Sequence, residues 1–326
     1  MPSIKETRHQ MVQFVSPEHA NTHGTLHGGR LMEWIMLAGS INASRTARGI
    51  TVLGATDSID FVNAVKVGEV VTLDTTIEYI GSSSIEVAVA VHSEDPRTGE
   101  RKFTTYAHLA FISVDENGKP KKIAGNITPA DDEEKAILAE ARKRKKQRVP
   151  KLERRDDQAR NIIDETEIVR MRLETTKVVL PEDTFYGSFM SVGKLMHDID
   201  ETAAILAIRF VRGVLVTGSV DELFFYSPIK VGDIIVFKAG ISYVGKSSLE
   251  VGIKVISENV LTGEQRHTCT AFLSFVHVGP DGKTRPVPIF EPETPEEKRL
   301  WKKALERKEK RAERLRRIAD ISSGGL

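Results

Sequence analysis

Cysteine occurs once in the 326 residues, as Cys269, which excludes an internal disulfide framework and any thiolate cluster for zinc or iron–sulfur chemistry. Excess charge is also missing. Forty-seven Lys and Arg face 46 Asp and Glu, leaving +1 at pH 7 and no global attraction to nucleic acid or a membrane surface. No uncharged apolar run of about 18 residues occurs, and the opening MPSIKETRHQMVQF lacks an apolar leader. G-x-S-x-G, G-x-G-x-x-G and P-loop patterns are absent, which removes the usual signatures of serine hydrolases and nucleotide-binding folds. The expectation is a soluble cytoplasmic protein of about two domains, with the 40% apolar and 29% charged content of an ordinary globular chain.

What is present is a repeat with a period of 164. Val67 to Val114 lies without gaps over Val231 to Val278, with 20 of 48 positions identical. Upstream, Leu31, Met32, Ala43, Arg45, Gly49, Gly54, Asp57 and Phe61 match Leu195, Met196, Ala207, Arg209, Gly213, Gly218, Asp221 and Phe225. Each copy ends in a charged segment with Glu and Lys or Arg at helical spacing. The predicted division is a first domain over 1–128, a charged helical linker over 129–165, a second domain over 166–290 and a charged, solvated helical tail over 291–326.

Within each copy one apolar segment of about 18 residues precedes alternating β-branched runs such as SIEVAVAV and SLEVGIKVI. The helix Arg30 to Arg48 is apolar almost all round, which predicts a curved antiparallel sheet wrapped about it, an α+β fold. Gly49 and Gly213 are expected to end the two helices in left-handed conformation. Turn signals at ENG near Asn117 and PDG near Asp281 are expected to separate the strands of a meander.

Before the first helix stands NTHGTLHGG, Asn21 to Gly29. A helix start presents unpaired backbone N–H groups, and glycine lets another group approach them closely. Gly28 and Gly29 therefore suit an anion or a carbonyl oxygen that gains charge during a reaction, and Asn21 offers a donor and an acceptor beside it. The same residues also suit a simple turn leading into a helix. His19, His23 and His27 recur every fourth residue, but Gly24, Gly28 and Gly29 oppose a helical metal face, and no metal site is predicted.

The offset of 164 maps Asn21 to Phe185, His27 to Ser191 and Gly28 to Val192, so the second copy has lost the polar loop. The reverse loss occurs along the helix. Asp200 and Glu201 map onto Met36 and Leu37, and Asp200 falls on the margin of an apolar stripe. Loop and acid survive in different copies, which makes sense if the domains pair face to face and form one composite site whose mirror image is dead.

These residues carry a resemblance. N-x-x-G-x-x-H-G-G before a long apolar helix and a strand meander resembles the hotdog fold. The tandem arrangement, with the acid of MHDIDETAAILAIR in the second copy, is similar to two-domain cytosolic acyl-CoA thioesterases. The resemblance implies two hotdog domains forming an intramolecular pseudo-dimer that hydrolyses fatty acyl-CoA to free acid and coenzyme A, the latter part of the substrate and not a cofactor. It implies Asn21, Asp200 and Gly29 as catalytic residues, with Asp200 as general base or nucleophile and the Gly29 N–H on the oxyanion. His27, Gly28, Glu201 and Thr202 are candidates for substrate contact. The turn residues Ser83 and Ser84, with Lys246, Ser247 and Ser248, are candidates for the phosphates of CoA or for an ordinary polar turn. Relatives assemble as trimers of such pairs, so a homo-oligomer of up to six hotdog domains is expected. The rival is a non-catalytic acyl-CoA sensor. KEKRAERLRR, with interleaved acids and no aromatics, reads as a solvated helix and not as a nucleic-acid site.

Overall fold

A computed structural model describes residues 1–162 and 169–323. The expected boundary between residues 165 and 166 lies outside them. Among the described residues, β1 (His9–Phe14) precedes α1 (Gly28–Ala47), which is followed by β2 (Thr51–Thr56), β3 (Ile59–Asp60), β4 (Val70–Ile80), β5 (Ser84–Glu94) and β6 (Arg101–Ser113). The helices α2 (Asp132–Leu152) and α3 (Arg155–Arg160) lead to the second copy: β7 (Arg172–Val178), α4 (Val192–Val211), β8 (Leu215–Val220), β9 (Leu223–Phe224), β10 (Ile234–Val244), β11 (Ser248–Glu258) and β12 (Gln265–His277). α5 (Pro295–Ser323) ends the description.

The long helices form where the apolar segments predicted them, and both lie against the concave faces of the sheets and against each other. Leu31, Met32, Ile35, Met36 and Ala43 of α1 are buried, as are Leu195, Met196, Ile199, Ala203 and Leu206 of α4. Each of the larger of these side chains contributes about 2 kcal/mol by leaving water. The sheets run β1-β4-β5-β6-β2-β9 and β3-β8-β12-β11-β10-β7, with antiparallel neighbours throughout. Each domain thus lends a two-residue strand to the other's sheet, which locks the pseudo-dimer.

Two expectations are corrected here. The left-handed residues ending α1 and α4 are Arg48 (φ 51°) and Arg212 (φ 56°), one position before the glycines. Their N–H groups still close the last turns onto Ser44 and Ile208, at the cost of about 1 kcal/mol of backbone strain each. The ENG and PDG turns follow the last strand of each copy and close the bridges Val114 to Pro120 and Val278 to Thr284. The meander itself turns at shorter segments, such as that containing Gly99 (φ 73°).

The charged segments are helical, but they are not merely solvated. α2 packs on β4 and α5 on β10. Arg148 reaches Glu86 and Asp57, both at 2.5 Å, and Arg144 pairs with Glu78. Arg307 and Arg311 meet Glu250 at 2.5 and 2.6 Å. Glu78, Glu86 and Glu250 are buried on the outer faces of the sheets, where an unpaired carboxylate is costly. Sequence spacing within a helix shows only the partners that helix supplies itself, and these partners lie on strands. No described helix is long and apolar enough to cross a membrane.

Candidate active site

The start of α1 abuts the middle of α4. Gly29 N–H donates to Asp200 Oδ2 at 2.7 Å, and Thr217 Oγ1, on β8, donates to Oδ1 at 2.9 Å. Gly29 fits closely, because a Cβ there would stand 3.0 Å from the Asp200 Cβ and press on it. Asp200 is fully buried. Burial pushes its pKa up, against the opposing pull of neighbouring His27, the Thr217 hydroxyl and the Gly29 N–H.

His27 precedes the helix, and its Nδ1 lies 3.3 Å from Asp200 Oδ2. The angle does not suit a hydrogen bond, so this buried nitrogen has no hydrogen-bond partner although it is close to a carboxylate. Its ring faces that of His197 at 5.7 Å.

A cleft of ≈ 520 Å³ opens beside this cluster. Its lining includes the polar Asn21, Thr22 and Asn63, the Asp200 neighbours His27, Gly28 and Thr217, and the apolar Ala204, Ile205, Ile208, Val214 and Val276. Asp200 stands one layer behind the wall formed by His27, Gly28 and Thr217. Gly28 is more constrained than Gly29: a Cβ there would meet Thr217 Cβ and Oγ1 at 2.6 Å.

The other sequence candidates divide. Asn21 lines the cleft, with Oδ1 accepting the His23 N–H at 2.9 Å and Nδ2 donating to Thr25 Oγ1 at 2.9 Å. Glu201 lines it from the exposed side of α4. Thr202 does not: it is buried, and its hydroxyl lies 3.3 Å from that of Thr175 on β7. The helical step of about 100° turns it away from the face that carries Glu201, so its assignment to substrate contact is corrected. Ser248 pairs with Val276, a wall residue, which places the 246–248 turn one strand outside the cleft. Ser84 pairs instead with Ile112, which lines the opposite, mirror-related cleft.

That mirror cleft repeats the first with the two copies exchanged. Leu53, Gly54, Phe185, Ser191, Val192 and Leu195 occupy the places of Thr217, Gly218, Asn21, His27, Gly28 and Leu31, and only ≈ 80 Å³ is left.

The sequence reading missed Thr217. The repeat contains the signal, since Thr217 maps onto Leu53 and is thus a further polar residue present in one copy only. The proposed Gly29 oxyanion donor also changes, because its N–H is taken by Asp200. Among the described residues the Gly28 N–H makes no hydrogen bond, and it stands at the cleft. The three spaced histidines do not gather, since His19 packs edge-on against Trp34 at 5.1 Å. His197, Asp198 and Glu201 bring ligand atoms within 4.8 Å of one another, but Lys177 Nζ already sits 3.1 Å from Asp198 Oδ2.

A family profile described as Thioesterase superfamily matches this chain twice, at residues 23–100 and 187–264. The cytosolic acyl coenzyme A thioester hydrolase of Homo sapiens is 28% identical over 305 residues, covering 89% of this chain and 79% of that protein. The uncharacterized acyl-CoA thioester hydrolase YkhA of Bacillus subtilis is 41% identical, covering 43% of this chain and 82% of that protein. The crystal structure of an acyl-ACP thioesterase from Bacteroides thetaiotaomicron covers 84% of this chain and 99% of its own, with a TM-score of 0.53 and 14% identity, a likeness of fold alone. With the domain found twice and one relative above 40% identity across most of its length, this two-domain hotdog chain belongs to the thioesterase superfamily.

Proposed function

We propose that the chain hydrolyses fatty acyl-CoA to free acid and CoA at one composite site, with the loop of the first domain and Asp200 of the second acting together. The observation that carries this reading is the buried Asp200 carboxylate, held by Gly29 across the domain interface and by Thr217 of its own domain, beside an open cleft lined by polar and apolar side chains. A fatty chain suits the apolar side chains and the CoA arm the polar ones. The thioester carbonyl then lies at the start of α1, where the Gly28 N–H stabilises the oxyanion and Asn21 orients the carbonyl or a water. Asp200 activates that water or attacks the carbonyl itself, and its raised pKa strengthens it as a base. Asp200 stands behind Gly28 and Thr217, which pack against each other, and its contact with the substrate or the water is completed only in the substrate complex.

A second reading rests on His27, whose ring stands between Asp200 and the cleft. In it His27 carries the proton and Asp200 orients the ring. His27→Gln would then cost as much thiol release as Asp200→Asn.

Among the described residues β1 and β7 are the outer strands of their sheets, and Val12 and Phe14 or Val178 and Leu180 are exposed beside them, which supports further assembly into a trimer of pseudo-dimers. Thiol release from acyl-CoA by the purified protein is the test, with Asn21→Ala and Asp200→Asn compared against Glu201→Gln. Wild-type rates in the first two variants would remove the site. Acyl-CoA binding without thiol release would favour the sensor.

A further inference from the structure

The domains meet along two short seams. In one, Asp60 of β3 lies opposite Ser219 of β8, and Phe61 N–H donates to Gly218 O at 3.0 Å. In the other, Ala55 of β2 lies opposite Phe224 of β9, and Phe225 N–H donates to Gly54 O at 3.0 Å. The first seam runs into the open cleft, because Gly218 follows Thr217, which holds Asp200, and Phe61 is a wall residue. The second runs into the filled cleft through Leu53 and Phe225.

The outer helices treat the seams differently. Arg314 of α5 grips Asp60 with Nε to Oδ2 at 2.8 Å and Nη2 to Oδ1 at 3.2 Å, and its Nη2 also lies 3.3 Å from Asp221 Oδ1. Both carboxylates are buried. One guanidinium thus ties a strand of the first domain to the segment that follows β8 in the second. Arg144 and Arg148 of α2 answer to Arg307 and Arg311 of α5, which makes Lys151 the counterpart of Arg314. Lys151 reaches only the partly exposed Glu222, at 2.5 Å, and lies 5.0 Å from the ring of Phe224, the residue 164 positions after Asp60. Its side chain is 52% exposed, whereas that of Asp60 is 3% exposed. Arg314 itself is 29% exposed, but its fork on a buried carboxylate fixes geometry and strands that charge when broken, whereas an exposed lysine pair contributes little.

We infer that Arg314 is a positioning residue for the reaction: by tying Asp60 to Asp221 it fixes β3 against β8 and so keeps the Thr217 hydroxyl on Asp200. The inference rests on the reading of Asp200 as the reacting carboxylate. The C-terminal helix is then part of the enzyme's working geometry, and the strap lies on the side that kept its chemistry.

The test is steady-state kinetics on acyl-CoA with the full chain. Arg314→Met and the size-conserving Asp60→Asn should each lower kcat about tenfold, with KM changed much less. Both should move the acid limb of kcat to higher pH, because a displaced Thr217 no longer favours the ionised carboxylate. Arg314→Lys should recover part of kcat, and Lys151→Met should leave it unchanged. Equal losses in Arg314→Met and Lys151→Met, or an unmoved acid limb, would overturn the inference. Amide hydrogen exchange provides a readout independent of catalysis: Phe61 should exchange faster in Arg314→Met and Asp60→Asn, and Phe225 should not. Unaltered exchange at Phe61 would also overturn it. Failure of the enzyme reading would show separately, as wild-type thiol release by Asp200→Asn.

Discussion

The open and the filled cleft share one frame, position for position, and differ in what the frame holds. One keeps Asn21, Gly28, Thr217 and Asp200 around ≈ 520 Å³, while the other has Phe185, Val192, Leu53 and Met36 around ≈ 80 Å³. Where the open cleft has polar groups, the filled cleft has apolar side chains, as expected if only the open cleft carries the proposed chemistry. A buried polar group is expensive to keep without a task, and Met36 or Leu53 in its place adds burial instead. On the proposed reading, the difference teaches how a duplicated domain pair can hold a single site, each copy lacking the half that its partner supplies.

The largest test of this comparison is Asp200→Asn, which makes the open cleft resemble the dead one at its reacting group. It should lower kcat about a thousandfold, measured as thiol release. The same variant should unfold at a higher temperature at neutral pH, by about 1 kcal/mol of stability. The sign follows from the raised pKa. A carboxyl whose folded pKa lies above its unfolded value stabilises the fold fully below the unfolded pKa and loses that contribution as pH rises through the folded one. The stability gap between variant and wild type should therefore shrink in acid, which thermal melts across pH would show.

Gly28→Ala comes next. The mirror position holds Val192, whereas an added methyl group at Gly28 collides with Thr217 Cβ and Oγ1 at 2.6 Å. Activity should fall about a hundredfold with the fold retained, seen by comparing kcat/KM with the melting curve. Thr217→Val imports the mirror's apolar character at one atom. It should cost about tenfold in kcat and shift the acid limb upward, because Asp200 loses a donor to its charged form. The wild-type limb itself should lie above the usual carboxylate range.

The smallest effect belongs to the dead side. Tyr186 sits there at φ 118°, with 56% of its surface exposed. Tyr186→Gly should relieve this strain and raise stability by about 1 kcal/mol in denaturant melts, leaving kcat unchanged. A fall in kcat would mean that the filled cleft takes part in turnover.

Much of this architecture was legible in the chain. The repeat gave two copies of one fold, and the complementary pattern at Asn21 and Asp200 pointed to face-to-face pairing. Thr217 escaped because a threonine in an alternating β-branched run reads as an ordinary strand residue. Asp60 and the arginines of α2 and α5 escaped for a related reason: a surface charge and a buried one look alike until the partner strand is known. The Gly29 N–H was placed on the substrate because a helix start advertises free donors, and only coordinates reveal that Asp200 has taken this one.

The central claim is that the chain holds one site and not two. Calorimetric titration of the full-length Asp200→Asn protein with a non-hydrolysable thioether analogue of a fatty acyl-CoA measures this directly. One analogue bound per chain, with binding weakened by Gly28→Ala, is the predicted result. Two equivalent analogues per chain would contradict it.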